Sequence, residues 1–239
     1  MNPSDCVAQH GNVTQHGDVT QRGDVPQRGE VPQRGDVPPC VGVLALQGAF
    51  REHAIALQRC GATVVEVRTA QDLEGLGGIV LPGGESTVMG KLLVEGDMLQ
   101  PLRELCLSGV PVFGTCAGLI LLCTDILDHP EQPGLRVLDA SVRRNAFGRQ
   151  KESFATELRI DPFPSACTQT PEPPMPAVFI RAPLLERTGS QVQVLARVKQ
   201  YGNGAVAIRQ GNILATSFHP ELTDDLRLHQ WVVDTARTL

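Results

Sequence analysis

No C-x-x-C pair and no cluster of cysteine and histidine at zinc spacing occurs in this chain, and its seven cysteines make an odd count. Neither a disulfide framework nor a metal site is favoured, which points to a reduced, cytosolic setting. No stretch reaches the ~20 apolar residues that span a bilayer, and the N-terminus has no apolar core of a signal peptide. Positive charge is not in excess: the formal net charge is −5, which argues against a nucleic-acid polyanion as partner. The Lys-Ser/Thr ending of a P-loop and the G-x-G-x-x-G spacing are also missing, so nucleotide phosphate binding is disfavoured. What remains is a chain of 239 residues, 41% hydrophobic and 20% charged, with enough residues for one sizeable core.

The first 40 residues stand apart. Residues 9–38 are five hexapeptides, QHGNVT, QHGDVT, QRGDVP, QRGEVP and QRGDVP. Each unit offers one valine among Gly, Pro, Gln and charge, too little to offset its ordering entropy or to face the inside of a β-helix. A disordered tail over 1–40 is expected, ahead of one domain over 41–239. The triplets Arg22-Gly23-Asp24 and Arg34-Gly35-Asp36 follow from the repeat and need no adhesive role.

At Val41 the character changes. The run Val41–Leu46 is continuously apolar, as in a strand buried on both faces. Arg51–Cys60 reads as an amphipathic helix closed by Gly61, Thr63–Val67 as a second strand and Gly78–Leu81 as a third. Helices are expected over Ser86–Leu93, with Ser86 as its N-cap, and over Met98–Leu107, ended by Gly109. Strands and helices alternating at this spacing imply a doubly wound, mostly parallel α/β sheet flanked by helices. Beyond about residue 135 the chain becomes β-rich. Strands are expected at Arg136–Leu138 with Ala140–Val142, at Phe154–Ile160, Val178–Ile180 and Val192–Val198, and in a hairpin of Ala205–Ile208 with Ile213–Phe218. Asp161–Pro176, with six prolines, reads as a loop. A helix over Leu226–Ala236 closes the chain, with Trp231 as a core anchor.

Three stretches carry chemistry. In Val110–Leu122 an apolar strand meets Gly114-Thr115-Cys116-Ala117-Gly118 and then an apolar run of helical length. Glycines on both sides of Cys116 permit the tight strand-to-helix turn of a nucleophile elbow, and unpaired N–H groups at a helix start stabilise negative charge on sulfur. A buried structural cysteine is the alternative for this motif alone. In Ser217–Glu221, His219 ends a strand, and Pro220 fixes the backbone so that Glu221 can orient the imidazole as a base. His53, His129 and His229 are set aside as helix or loop histidines, and His10 and His16 as tail residues. In Leu81–Thr87, Gly83 and Gly84 let backbone N–H groups point at a developing oxyanion, with Ala117 N–H as the second donor beside Gly84.

Cys116, Gly83-Gly84-Glu85-Ser86 and His219-Pro220-Glu221 resemble the triad (class I) glutamine amidotransferases. Leu44–Gly48, Arg144–Gln150 and Val178–Pro183 narrow the resemblance to the glutaminase subunit of the pyridoxal 5′-phosphate (vitamin B6) synthase complex, over essentially Val41 to the C-terminus. The resemblance implies hydrolysis of L-glutamine to glutamate and ammonia by Cys116, His219 and Glu221, with no cofactor. It implies glutamine binding by Gly84, Glu85, Ser86, Arg144, Ile180 and Arg181. It also implies a TIM-barrel synthase subunit as partner, with Gln47-Gly48 placed where the two couple. The repeat tail has no counterpart in that family, and the Pro-rich loop looks enlarged. A catalytically silent scaffold and a free-standing cysteine hydrolase are the other readings.

Overall fold

The computed structural model describes residues 37–144, 153–160, 173–199 and 202–239. Residues 1–36 of the expected tail, the stretch from Asn145 to Gln150 and most of the Pro-rich loop lie outside them, while Cys40, expected as the last tail residue, is the first residue of a strand. Twelve strands are described, in chain order β1 (Cys40–Leu44), β2 (Thr63–Val67), β3 (Gly78–Leu81), β4 (Val112–Thr115), β5 (Cys123–Ile126), β6 (Leu138–Arg143), β7 (Ser153–Leu158), β8 (Met175–Ile180), β9 (Leu184–Thr188), β10 (Gln193–Val198), β11 (Gly204–Gln210) and β12 (Ile213–Thr216). Five α-helices accompany them: α1 (Phe50–Arg59), α2 (Ser86–Glu95), α3 (Leu99–Leu107), α4 (Ala117–Leu122) and α5 (Arg227–Arg237).

Seven strands form the main sheet in the order β10-β11-β12-β4-β3-β1-β2. From β2 to β12 all neighbours are parallel, and β11 and β10 extend the edge antiparallel. Successive side chains of a strand point to opposite faces, so a strand covered on both sides feeds two cores. Val41 and Val43, Val80, Phe113 and Leu214 pack with Leu57 of α1 and Trp231 and Val232 of α5. Leu44, Ile79 and Leu81, Val112, and Ile213 and Ala215 pack on the other face with Met89 and Leu93 of α2, Leu102 of α3 and Leu119 of α4. This is why β1, β3 and β4 read as unbroken apolar runs. Trp231 is 5% exposed, a core residue as expected.

The β-rich half divides in a way the sequence did not show. Strands β10–β12 complete the main sheet, while β5-β6-β9 and β7-β8 form separate small sheets. The expected pair around Ser141 is the single strand β6, and β5 and β9 were not foreseen. The apolar run after Cys116 makes only six helical residues. The carbonyls of Leu121 and Leu122 accept from the backbone of Leu135 and Val137, which ends α4 and turns Cys123 into a strand. The N-cap of α2 is Glu85, not Ser86, its carboxylate accepting from the N–H groups of Thr87 and Val88. Pro176 lies inside β8, opposite Glu157, a position open to proline because a two-stranded ribbon is all edge.

Candidate active site

Parallel strands deliver their C-terminal ends to one edge of the sheet, and β3, β4 and β12 are neighbours there. Cys116 follows β4 with φ +47° and ψ −97°, a sparsely populated conformation for a non-glycine residue that costs about 1–3 kcal/mol. The turn is held by backbone contact: a Cβ on Gly118 would lie 2.1 Å from the Leu81 carbonyl oxygen. Cys116 N–H also donates to the Thr216 carbonyl at 2.8 Å, tying the elbow to β12. Strain of this kind, overdetermined by its surroundings, holds the thiol at the sheet edge.

His219 reaches the same edge two residues beyond Ser217, and its N–H donates to the Val178 carbonyl of β8 at 2.8 Å. Its Nδ1–H donates to Glu221 Oε1 at 2.7 Å, across the turn that Pro220 opens. The ring crosses Gly83 so closely that a Cβ there would stand 2.3 Å from its Cε1. Burial works against a proton on His219, but Cys116 and Glu221 on either side outweigh it and raise its pKa to about 10. His219 Nε2 is buried and has no partner at hydrogen-bond geometry among the described residues. Burial likewise opposes charge on Glu221. The facing rings of His53 and His219 prevail, and its pKa lies below the ordinary carboxylate value.

Cys116 and His219 open into a cavity of about 310 Å³, large enough for a small polar molecule. Gly84, Glu85, Ser86, Arg144, Ile180 and Arg181 all line it. Glu221 stands behind His219, and Ala117 opens α4 as a fully buried residue. The Ile180 carbonyl lies 3.9 Å from Cys116 Sγ, and Arg181 has φ +43°. The Arg144 guanidinium is already engaged, donating to Thr87 Oγ1 at 2.6 Å, Gln132 Oε1 at 2.5 Å and Glu85 Oε1 at 3.2 Å. Burial would raise the Glu85 pKa, but the N–H groups of Val88 and Thr87 and the Arg144 charge more than compensate and lower it. Gln47 also lines the cavity, and its Oε1 accepts from Glu85 N–H at 2.6 Å, coupling the end of β1 to the glycine loop.

Two histidines set aside on sequence belong to this neighbourhood. His53 and His229 are fully buried, on α1 and α5, and His53 Nε2 lies 3.4 Å from Glu221 Oε2. The available signal was helical spacing: His53, Ala56 and Leu57 form the buried face of α1. The third, His129, is followed by Pro130 and Glu131 and so repeats the His-Pro-Glu triplet. Its ring meets Glu131 at 3.7 Å with both side chains largely exposed, and it does not line the cavity.

Known proteins resemble this chain over most of its length. The model of the SNO glutamine amidotransferase family matches residues 43–238. The pyridoxal 5′-phosphate synthase subunit PdxT of Frankia alni is 52% identical over 84% of this chain and 96% of its own length. That of Moorella thermoacetica is 50% identical over 80% of this chain and 96% of its own. A solved glutamine amidotransferase superposes with a TM-score of 0.73 at 49% identity, covering 82% of this chain and 98% of its own. PurLQS from Thermotoga maritima, at 16% identity and a TM-score of 0.59, shares the fold.

Proposed function

The chain belongs to the SNO glutamine amidotransferase family, and we propose that it hydrolyses L-glutamine and passes the ammonia to the synthase subunit of a pyridoxal 5′-phosphate synthase. The observation that carries the reading is the strained Cys116 facing a His219–Glu221 pair across a cavity sized for an amino acid. Cys116 Sγ attacks the side-chain amide carbon as His219 takes the thiol proton, and negative charge gathers on the carbonyl oxygen. The N–H groups of Gly84 and Ala117 receive that charge, Ala117 because the first turn of a helix leaves its donors unpaired. His219 gives the proton it took from the thiol to the departing nitrogen as the C–N bond breaks, and ammonia leaves a thioester on Cys116. Water then adds, His219 accepting its proton, and glutamate is released as the C–S bond breaks and the sulfur is restored. Glu221 holds the ring in register throughout.

Glu85, Ser86, Ile180, Arg181 and Arg144 bind glutamine around the reacting amide. Arg144 does so from a network it already shares with Glu85, which keeps its fork in place. The partner is a TIM-barrel synthase subunit, and Gln47, which reaches the glycine loop, lies on the route by which docking is felt at the oxyanion donors. A reduced, cytosolic setting fits Cys40, Cys60, Cys106, Cys116 and Cys123, all free thiols. No helix among the described residues is long and apolar enough to cross a membrane. The glutaminase domain begins at Cys40, the first residue of β1, and the residues before it are a tail outside the chemistry.

The test is glutamate release from L-glutamine by the full chain, alone and with the synthase subunit, beside Cys116→Ala. Turnover that rises with the partner and is abolished in the variant is expected. No turnover in a demonstrated complex overturns the reading and leaves a silent scaffold.

A further inference from the structure

Behind Glu221, on the side away from the cavity, the structure holds a buried polar chain that the reaction as written does not use. His53 Nε2 faces two oxygens, Glu221 Oε2 at 3.4 Å and Thr115 Oγ1 at 3.1 Å, and His53 Nδ1 lies 2.9 Å from His229 Nε2. Both rings pack edge-on to Phe113 of β4, with centroids 6.0 and 5.7 Å away. Three elements far apart in sequence therefore meet at one imidazole. Thr115 precedes the nucleophile, Glu221 orients the base, and His229 sits on the closing helix.

We propose that His53 is a positioning residue for the glutaminase reaction, donating Nε2–H toward the outer oxygen of Glu221 while His229 selects the tautomer that makes this possible. This rests on the glutaminase reading above. The direction of the chain follows from counting protons. Full burial lowers the pKa of both His53 and His229, so each ring is neutral and carries one N–H. If His53 carried its proton on Nδ1, its bare Nε2 would lie 3.4 Å from a carboxylate oxygen that has no partner at hydrogen-bond geometry among the described residues. An anionic oxygen left so in a dry site is among the costliest buried groups. With the proton on Nε2, shared between Glu221 and Thr115, His53 Nδ1 accepts from His229 Nε2–H. Glu221 Oε2 then has the approach of Nε2–H at 3.4 Å in place of a bare ring nitrogen, and His229 Nδ1, a neutral acceptor, is left unpaired. The chain runs His229 to His53 to Glu221, and His219 closes it from the other side.

Glu221 is thereby bonded at Oε1 by His219 at 2.7 Å and faced at Oε2 by the His53 N–H at 3.4 Å. A carboxylate held at Oε1 alone keeps a free rotation, and the angle of the His219 ring toward Cys116 follows it. Misplacing a reacting group by an ångström is enough to lose about 100-fold in rate. The other charged groups facing the pair are Glu52 on α1 and Asp225 ahead of α5, which act on His53 and His229 respectively. The substitutions below leave both in place.

Full-length chains carrying His53→Leu, His53→Asn and His53→Gln are assayed with the synthase subunit. The asparagine amide nitrogen falls near the place of Nδ1, whereas the glutamine amide nitrogen reaches that of Nε2. His53→Leu and His53→Asn are expected to lower kcat about 10–100-fold with KM for glutamine within about twofold, and His53→Gln to recover most of the rate. In parallel, the pH dependence of Cys116 alkylation by iodoacetamide is measured on the chain alone, where no turnover is needed. The profile should shift in the leucine and asparagine variants and return with glutamine. Equal loss in all three variants, tracking thermal stability with an unshifted alkylation profile, overturns the proposal and makes His53 a packing residue. Unaltered kcat and profile in His53→Leu overturn it as well. Absence of glutamate release by the wild-type complex strikes at the parent reading instead, and the alkylation arm then still decides whether His53 acts on His219 through Glu221.

Discussion

His219 and the His53–His229 pair approach one carboxylate from opposite sides, and their charges go opposite ways. At the cavity edge, His219 is flanked by Glu221 and Cys116, and its pKa rises to about 10 in spite of burial. Inside, His229 is driven down to about 3 by burial and by its neighbour His53, and Glu221 and Asp225 do not reverse this. His53 faces the same Glu221, yet full burial and the positive His219 beyond it lower its pKa too. An anionic neighbour does not by itself charge a histidine. The balance between desolvation and partners decides, and at His53 full burial outweighs the attraction of Glu221.

The comparison can be broken most severely at the shared carboxylate. Glu221→Gln removes the charge while keeping the shape. It should lower kcat by roughly 10⁴-fold, on the scale seen when a triad carboxylate becomes an amide. The His219 pKa, followed by NMR titration of its ring protons, should fall from about 10 toward the ordinary value. An unmoved His219 titration would show that Cys116 alone sustains the charge.

A smaller effect separates the two sides by pH. His219, raised from 6.5 to about 10, contributes stability that is complete below pH 6.5 and lost as pH rises through 10. His229, lowered from 6.5 to about 3, has the reverse sign: its contribution is complete above pH 6.5 and lost as pH falls toward 3, because the unfolded chain takes up the proton. In His229→Leu the loss of stability between pH 7 and pH 5, read from urea midpoints, should shrink by about 1–2 kcal/mol. The alkaline limb, set by His219, should stay as it is.

The smallest effect sharpens the comparison by its absence. His129→Ala removes the ring of the second His-Pro-Glu triplet, half exposed and outside the cavity. Glutaminase kcat should stay within about twofold, since an exposed pair of this kind contributes little. A large loss would mean that the triplet itself, rather than its place at a strand end, marks the function.

Much of the site was legible because its parts are local. The glycines around Cys116 announced a turn whose backbone approach to Leu81 leaves no room for a Cβ. Pro220 announced the short reach from His219 to Glu221. The expected strands at Thr63–Val67 and Gly78–Leu81 match β2 and β3 to the residue, since apolar runs bounded by glycine carry their own limits. Strands β5 and β9 were illegible: Cys123–Ile126 continues an apolar helix pattern, and only the carbonyls claimed by Leu135 and Val137 stop the helix. Ser86 had the better N-cap chemistry on paper, but Glu85 takes the cap because its carboxylate reaches two N–H groups and Arg144 together.

By itself, then, the sequence determined which segments become strands and helices over most of the parallel half, and which residues form the elbow, the glycine loop and the His-Pro-Glu turn. These depend on neighbours within a few positions, where periodicity, glycine and proline act directly. Only the tertiary structure decided how the β-rich half divides between sheets, that Arg144 is tied to Glu85, and that His53 and His229 stand behind the base. The ring nitrogens of that pair belong to residues 176 positions apart. No local pattern encodes such a contact, because it exists only once the sheet has set α1 and α5 side by side on one face.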